Sequence, residues 1–161
     1  MPHKGQSWNP WELNMIGEWV SRTFPDAEYR TQVRLGKIQP RSSNGTFSED
    51  EERALGLWRR WADAIVFLSD RLLLVESVLR SDAGKISILN LYATLLPHTD
   101  ELKSFSHLPI QKVLLYAIED PIVNELARRE NILPVLYVPT FFEAWLEKRR
   151  ARDRRPSRTN L

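Results

Sequence analysis

Two acids stand inside apolar runs in the stretch ADAIVFLSDRLLLVESVL, residues 62–79: Asp63 and Glu76. Ser69 and Asp70 separate the runs and suit a two-residue hairpin turn. With that turn, Leu68 faces Arg71, Ile65 faces Leu74 and Asp63 faces Glu76. Directly opposite side chains share a sheet face, with Cβ atoms about 5 Å apart. Like charges so placed repel unless something compensates. A divalent cation held by both carboxylates does so. A proton on one acid, or a nearby arginine, also does so. Two plain ion pairs are the alternative reading: Asp63 with Arg59 or Arg60, and Glu76 with Arg80, four residues on.

The flanking elements decide whether such a pair can form. NPWELNMIGEWVSRTF predicts a helix with Asn9 as cap, Pro10 in the first turn, and Leu13, Ile16, Trp19 and Val20 at helical spacing. AEYRTQVRL predicts a strand with Tyr29, Thr31, Val33 and Leu35 on one side. Residues 36–57 are rich in turn formers and predict a protruding loop, with a short helix from Ser48. GKISILNLYATLL predicts a helix with Ile86, Leu89, Ala93 and Leu96 as its apolar stripe. KVLLYAIE predicts a buried strand, and DPIVNELARREN a helix capped by Asp120 with Pro121 at its first position. ILPVLYV predicts a final strand whose Pro134 prefers an edge. PTFFEAWLEKRRARDR predicts a last helix running into a basic tail. Strands interleaved with helices imply an α/β domain with a mixed central sheet flanked by helices, over residues 1–147, followed by a basic tail at 148–161.

This order and the placement of the acids resemble the PD-(D/E)XK nuclease-like superfamily over roughly residues 10–138. The resemblance implies a restriction-endonuclease-like αβββαβ core. It aligns Asp63 with the acid of the second core strand and Glu76 with that of the third. GKISILNLY resembles the following helix, with Asn90 and Tyr92 near its polar positions, and Glu18 stands for the acid sometimes supplied by the first helix. The implied metal set is Asp63, Glu76 and Glu18, holding Mg²⁺ or Mn²⁺. The departure lies at Glu76-Ser77-Val78, where valine occupies the place of the motif lysine. Valine neither positions water nor offsets charge at phosphorus. A relocated lysine would be Lys85, at the start of the next helix; Arg80 remains protonated and serves poorly as a base. The sequence therefore suggests a catalytically degenerate nuclease fold without a cofactor, acting as a structural or DNA-associated module such as a virion or head-tail assembly protein. The alternative is a divalent-metal-dependent DNA nuclease using Asp63, Glu76 and Lys85.

Other chemistries have little support. The chain contains no cysteine, no glycine-rich phosphate loop and no GxSxG elbow, and His3, His98 and His107 share no ligand spacing. The opening has no long apolar signal segment and no run is long enough to span a bilayer, so a cytoplasmic or virion-associated protein is expected. Net charge is +2, yet the tail 148–161 holds seven basic residues and one acid, leaving 16 basic and 20 acidic residues elsewhere. With YRTQVRLGK and LWRRW, the tail offers Arg30, Arg34, Arg59, Arg60, Arg149 and Arg150 as nucleic-acid contacts. Trp8, Trp11 and the amphipathic TFFEAW segment offer anchors for a protein partner or self-association.

Overall fold

The computed structural model describes residues 9–36 and 60–154; Arg59, Trp8 and most of the expected 36–57 loop lie outside the described residues. Helix α1 (Pro10–Thr23) starts where expected, the Asn9 side chain accepting from the Trp11 N–H at 3.1 Å with Pro10 at the first position. Its buried stripe is Met15, Ile16, Trp19 and Val20. Strand β1 (Glu28–Leu35) pairs antiparallel with β2 (Arg60–Phe67), which pairs antiparallel with β3 (Leu72–Arg80). The Leu68 N–H donates to the Arg71 carbonyl at 3.0 Å, closing the hairpin around Ser69 and Asp70. Helix α2 (Gly84–Leu95) and two short 3₁₀ turns carry the chain to β4 (Ile110–Ile118), parallel to β3. Helix α3 (Pro121–Arg129) leads to β5 (Ile132–Leu136), parallel to β4, and α4 (Phe142–Asp153) follows.

The result is an open, mixed, five-stranded sheet in the order β1-β2-β3-β4-β5, with helices on both faces: an α/β fold. On one face α1 packs Met15, Ile16, Trp19 and Val20 over Ala64, Val66, Val75 and Leu115. On the other, α2 and α3 pack Ile86, Leu89, Val123 and Ala127 over Ile65, Leu74, Leu114 and Tyr116. Helices on both faces explain why β3 and β4 read as nearly continuous apolar runs rather than alternating ones.

Each edge strand carries a local interruption, at Gln32 in β1 and at Pro134 in β5. Gln32, in the middle of β1, has φ of 53°, a left-handed conformation rare outside glycine. Tyr29, before it, reaches α1, its hydroxyl lying beside Gly17, whereas Val33 and Leu35, after it, pack in the α2 layer. The expected single side of Tyr29, Thr31, Val33 and Leu35 is therefore split, because a left-handed residue resets the two-residue alternation. At the far edge, the Tyr137 N–H donates to the Tyr116 carbonyl at 2.8 Å. Strand alternation then turns position 134 outward, so Pro134 stands where the free edge would otherwise offer an N–H.

Candidate active site

The hairpin register runs Phe67↔Leu72, Val66↔Leu73, Ile65↔Leu74 and Ala64↔Val75, and there it stops. The next step would pair Asp63 with Glu76. Instead each carboxylate replaces a ladder bond. Glu76 Oε1 accepts from the Asp63 N–H at 3.1 Å, and Asp63 Oδ2 accepts from the Ser77 N–H at 2.9 Å and the Ser77 hydroxyl at 3.2 Å. The two acids thus meet across the opening end of the hairpin, each held by its neighbour's backbone.

Lys85 completes the cluster. Strand β3 ends at Arg80 and α2 begins at Gly84, with Asp82 Oδ1 accepting the Gly84 N–H at 2.8 Å and fixing the first turn. That short return brings Lys85 Nζ to 2.8 Å from Glu76 Oε2 and 3.7 Å from Asp63 Oδ2. Glu76 is paired by Lys85 rather than by Arg80, which is exposed at the strand end. The Lys85 side chain is 21% exposed and that of Glu76 3%, so water screens this pairing poorly. Burial, then the Asp63 charge, pushes the Glu76 carboxyl up to about 7, with Lys85 opposing. Glu76 and its two charged neighbours hold the Lys85 ammonium above its ordinary range despite desolvation.

Glu12 is the acid from α1 that faces this cluster. Burial raises its pKa, while the Lys85 charge lowers it and the Asp63 charge raises it. Glu18, expected there, is engaged elsewhere: its carboxylate accepts from the Tyr137 hydroxyl at 2.9 Å, the Thr140 N–H at 3.0 Å and the Thr140 hydroxyl at 2.8 Å. The signal for Glu12 was present in the sequence, since Glu12 lies on the stripe with Ile16 and Trp19, and Glu18 lies off it. Asn90 likewise lies apart, its Oδ1 accepting from Lys112 at 2.6 Å and its Nδ2 donating to Glu130 at 3.1 Å. Tyr92 is buried on α2, its pKa raised by burial and then by the Glu76 charge, so it belongs to the inner stripe rather than a polar face.

Among the described residues no set of three or more His, Asp or Glu side chains forms a ready-made metal cage. The donors present nonetheless fit Mg²⁺ or Mn²⁺: two carboxylates of hard oxygen, with Lys85 standing as the positive charge between them. Mg²⁺ is commonly held by one or two carboxylates, with waters and substrate phosphate oxygens filling its remaining positions.

The arginines divide into stacked and open ones. Arg30 lies 4.7 Å from the Phe67 ring centroid and pairs with Glu28, and Arg34 lies 4.6 Å from that of Trp61. Arg60 is exposed at the start of β2. On α4, Arg149 lies 5.5 Å from the Trp145 ring and Arg150 is exposed. Helix α4 is seated beside the start of α1, with Phe141 5.1 Å from Trp11 and Lys148 4.9 Å from the same ring.

No family model matches the chain, and no curated protein matches it. A solved crystal structure of a protein of unknown function is similar at 11% identity, over 85% of this chain and 66% of that one, with a TM-score of 0.48.

Proposed function

We propose that this protein is a divalent-metal-dependent phosphodiester hydrolase acting on nucleic acid, a PD-(D/E)XK-like nuclease whose lysine has moved from strand to helix. The observation that carries this reading is the position of Lys85 Nζ, within 2.8 Å of Glu76 and 3.7 Å of Asp63. Val78 leaves the motif position without a charge, and Lys85 supplies that charge from α2. Asp63 and Glu76 would hold the metal, which when bound lowers the pKa of a water and polarises a phosphoryl oxygen. The Lys85 ammonium then offsets negative charge developing on the phosphoryl group. Exposed Arg150 and its basic neighbours on α4 suit contact with a nucleic-acid backbone. Arg34 on Trp61 and Arg30 on Phe67 add stacked cations on the β1–β2 side.

Incubation with Mn²⁺ and a mixture of linear, nicked and branched DNA tests the proposal. Cleavage is expected, and is expected to vanish in Asp63→Ala and Glu76→Ala and to fall sharply in Lys85→Ala. One observation favours the other reading, a binding or assembly module: Val78 packs against the α2 layer, as a residue kept for packing would. That reading stands if the wild-type protein leaves every substrate intact and calorimetry registers no Mn²⁺ binding.

A further inference from the structure

Asp63 points where a regular strand would not send it. In an undisturbed antiparallel pair it would follow Ile65 and Phe67 onto the α2 face, as every second residue does. Ile65 does pack in the α2 layer, and Ala64 and Val66 pack in the α1 layer. Yet Ala62, which should share the α1 layer with Ala64, packs in the α2 layer with Ile65. The phase of β2 therefore inverts across Asp63.

The partner strand inverts at the same step. The β1–β2 register passes from Thr31↔Ala64 to Val33↔Ala62, and the intervening Gln32–Asp63 pair is missing from the ladder. No residue is inserted in either strand, since the register is the same on both sides. Gln32 carries the one backbone conformation in β1 that accounts for the change, with φ of 53°. At the inversion a side chain belongs to neither face and lies near the plane of the sheet. The Asp63 carboxylate is found there, reaching across to the Ser77 N–H of β3. This lets α1 approach it with Glu12 from one face and α2 with Lys85 from the other.

We infer that Gln32 is a positioning residue whose left-handed backbone inverts the side-chain phase of β1 and β2 and thereby aims the Asp63 carboxylate between β2 and β3. Left-handed non-glycine residues held in place by their surroundings gather at functional sites. The functional consequence rests on the site proposed above; the geometry does not.

A substitution series separates backbone from side chain. Glycine and asparagine accept a positive φ, alanine resists it, and valine resists it most. The full chain carrying Gln32→Gly, Gln32→Asn, Gln32→Ala or Gln32→Val is read in two ways without metal-dependent turnover. One is hydrogen-exchange protection of the Ser77 amide, compared with those of Val66 and Leu73 in the intact hairpin. The other is Mn²⁺ affinity by calorimetry. Gly and Asn variants are expected to match the wild type within about twofold in both. The Val variant is expected to lose Ser77 protection relative to Val66 and Leu73, and to bind Mn²⁺ at least about tenfold more weakly. If Val prevents folding, the Ala variant carries the same comparison. Equal Ser77 protection across the series overturns the inference, and so does a Gly variant as impaired as Val, because that would assign the effect to the side chain. If the wild-type protein binds no Mn²⁺, the site proposal fails while the Ser77 measurement still decides the role of Gln32.

Discussion

In the proposed nuclease, the positive charge beside the acids would come from a helix rather than from the strand that carries Glu76. Lys85 lies on the first turn of α2, close enough to bond Glu76 at 2.8 Å. Removing it in Lys85→Ala is expected to lower single-turnover cleavage by about 10²–10³-fold, the scale seen when one donor to a developing oxyanion is lost. Unchanged turnover would remove Lys85 from the chemistry. The same cluster sets a pH dependence in the metal-free protein. Burial and the Asp63 charge raise the Glu76 carboxyl to about 7, whereas an unfolded chain releases that proton near 4.5. Between those values the folded state binds more protons, so the Glu76 contribution to stability falls as pH rises. From pH 5.5 to 8 the loss is on the order of 2 kcal/mol, and Glu76→Gln is expected to abolish it, as urea melts at the two pH values would register. Asp63 and Glu76 were legible in the sequence because acids interrupt apolar runs at register-matched positions. The choice of Glu12 over Glu18 required the stripe of α1 to be weighed before the resemblance.

Elements with strong local chemistry followed the sequence closely. Asp120 accepts from the Ile122 and Val123 N–H groups at 3.0 and 3.3 Å, with Pro121 at the first helical position. Asp120→Ala is expected to cost about 1 kcal/mol, seen as a lower Tm. The hairpin also followed, because Leu68 and Arg71 close its turn and the apolar runs match on both strands. Strand β1 formed where expected, but its alternate residues do not share one side, since glutamine gives no local sign of the left-handed conformation that splits them. Glu18 likewise had a role that only the fold reveals. It ties α1 to the segment before α4 through Tyr137 and Thr140. Glu18→Ala is expected to destabilise by about 1–3 kcal/mol while leaving Mn²⁺ affinity unchanged, which calorimetry checks.

Across the whole molecule, the layered α/β arrangement was readable from the alternation of strand and helix patterns, while the site required long-range pairing that no single segment announces. No helix among the described residues is long and apolar enough to cross a membrane. The basic helix α4 packs Phe142 and Trp145 against the core and leaves Arg149, Arg150 and Arg152 exposed. Changing all three to alanine is expected to reduce the log–log salt slope of DNA binding by about 3, as fluorescence anisotropy across a salt series would measure. An unchanged slope would place the backbone contacts elsewhere. The outer margin of β5 sets a different limit. It exposes Leu133 and Leu136, an apolar invitation to association, yet proline interrupts the donors that another strand would need. Contact between copies at this margin would rest on greasy side chains, and Pro134 opposes their zipping into a continuous ribbon there.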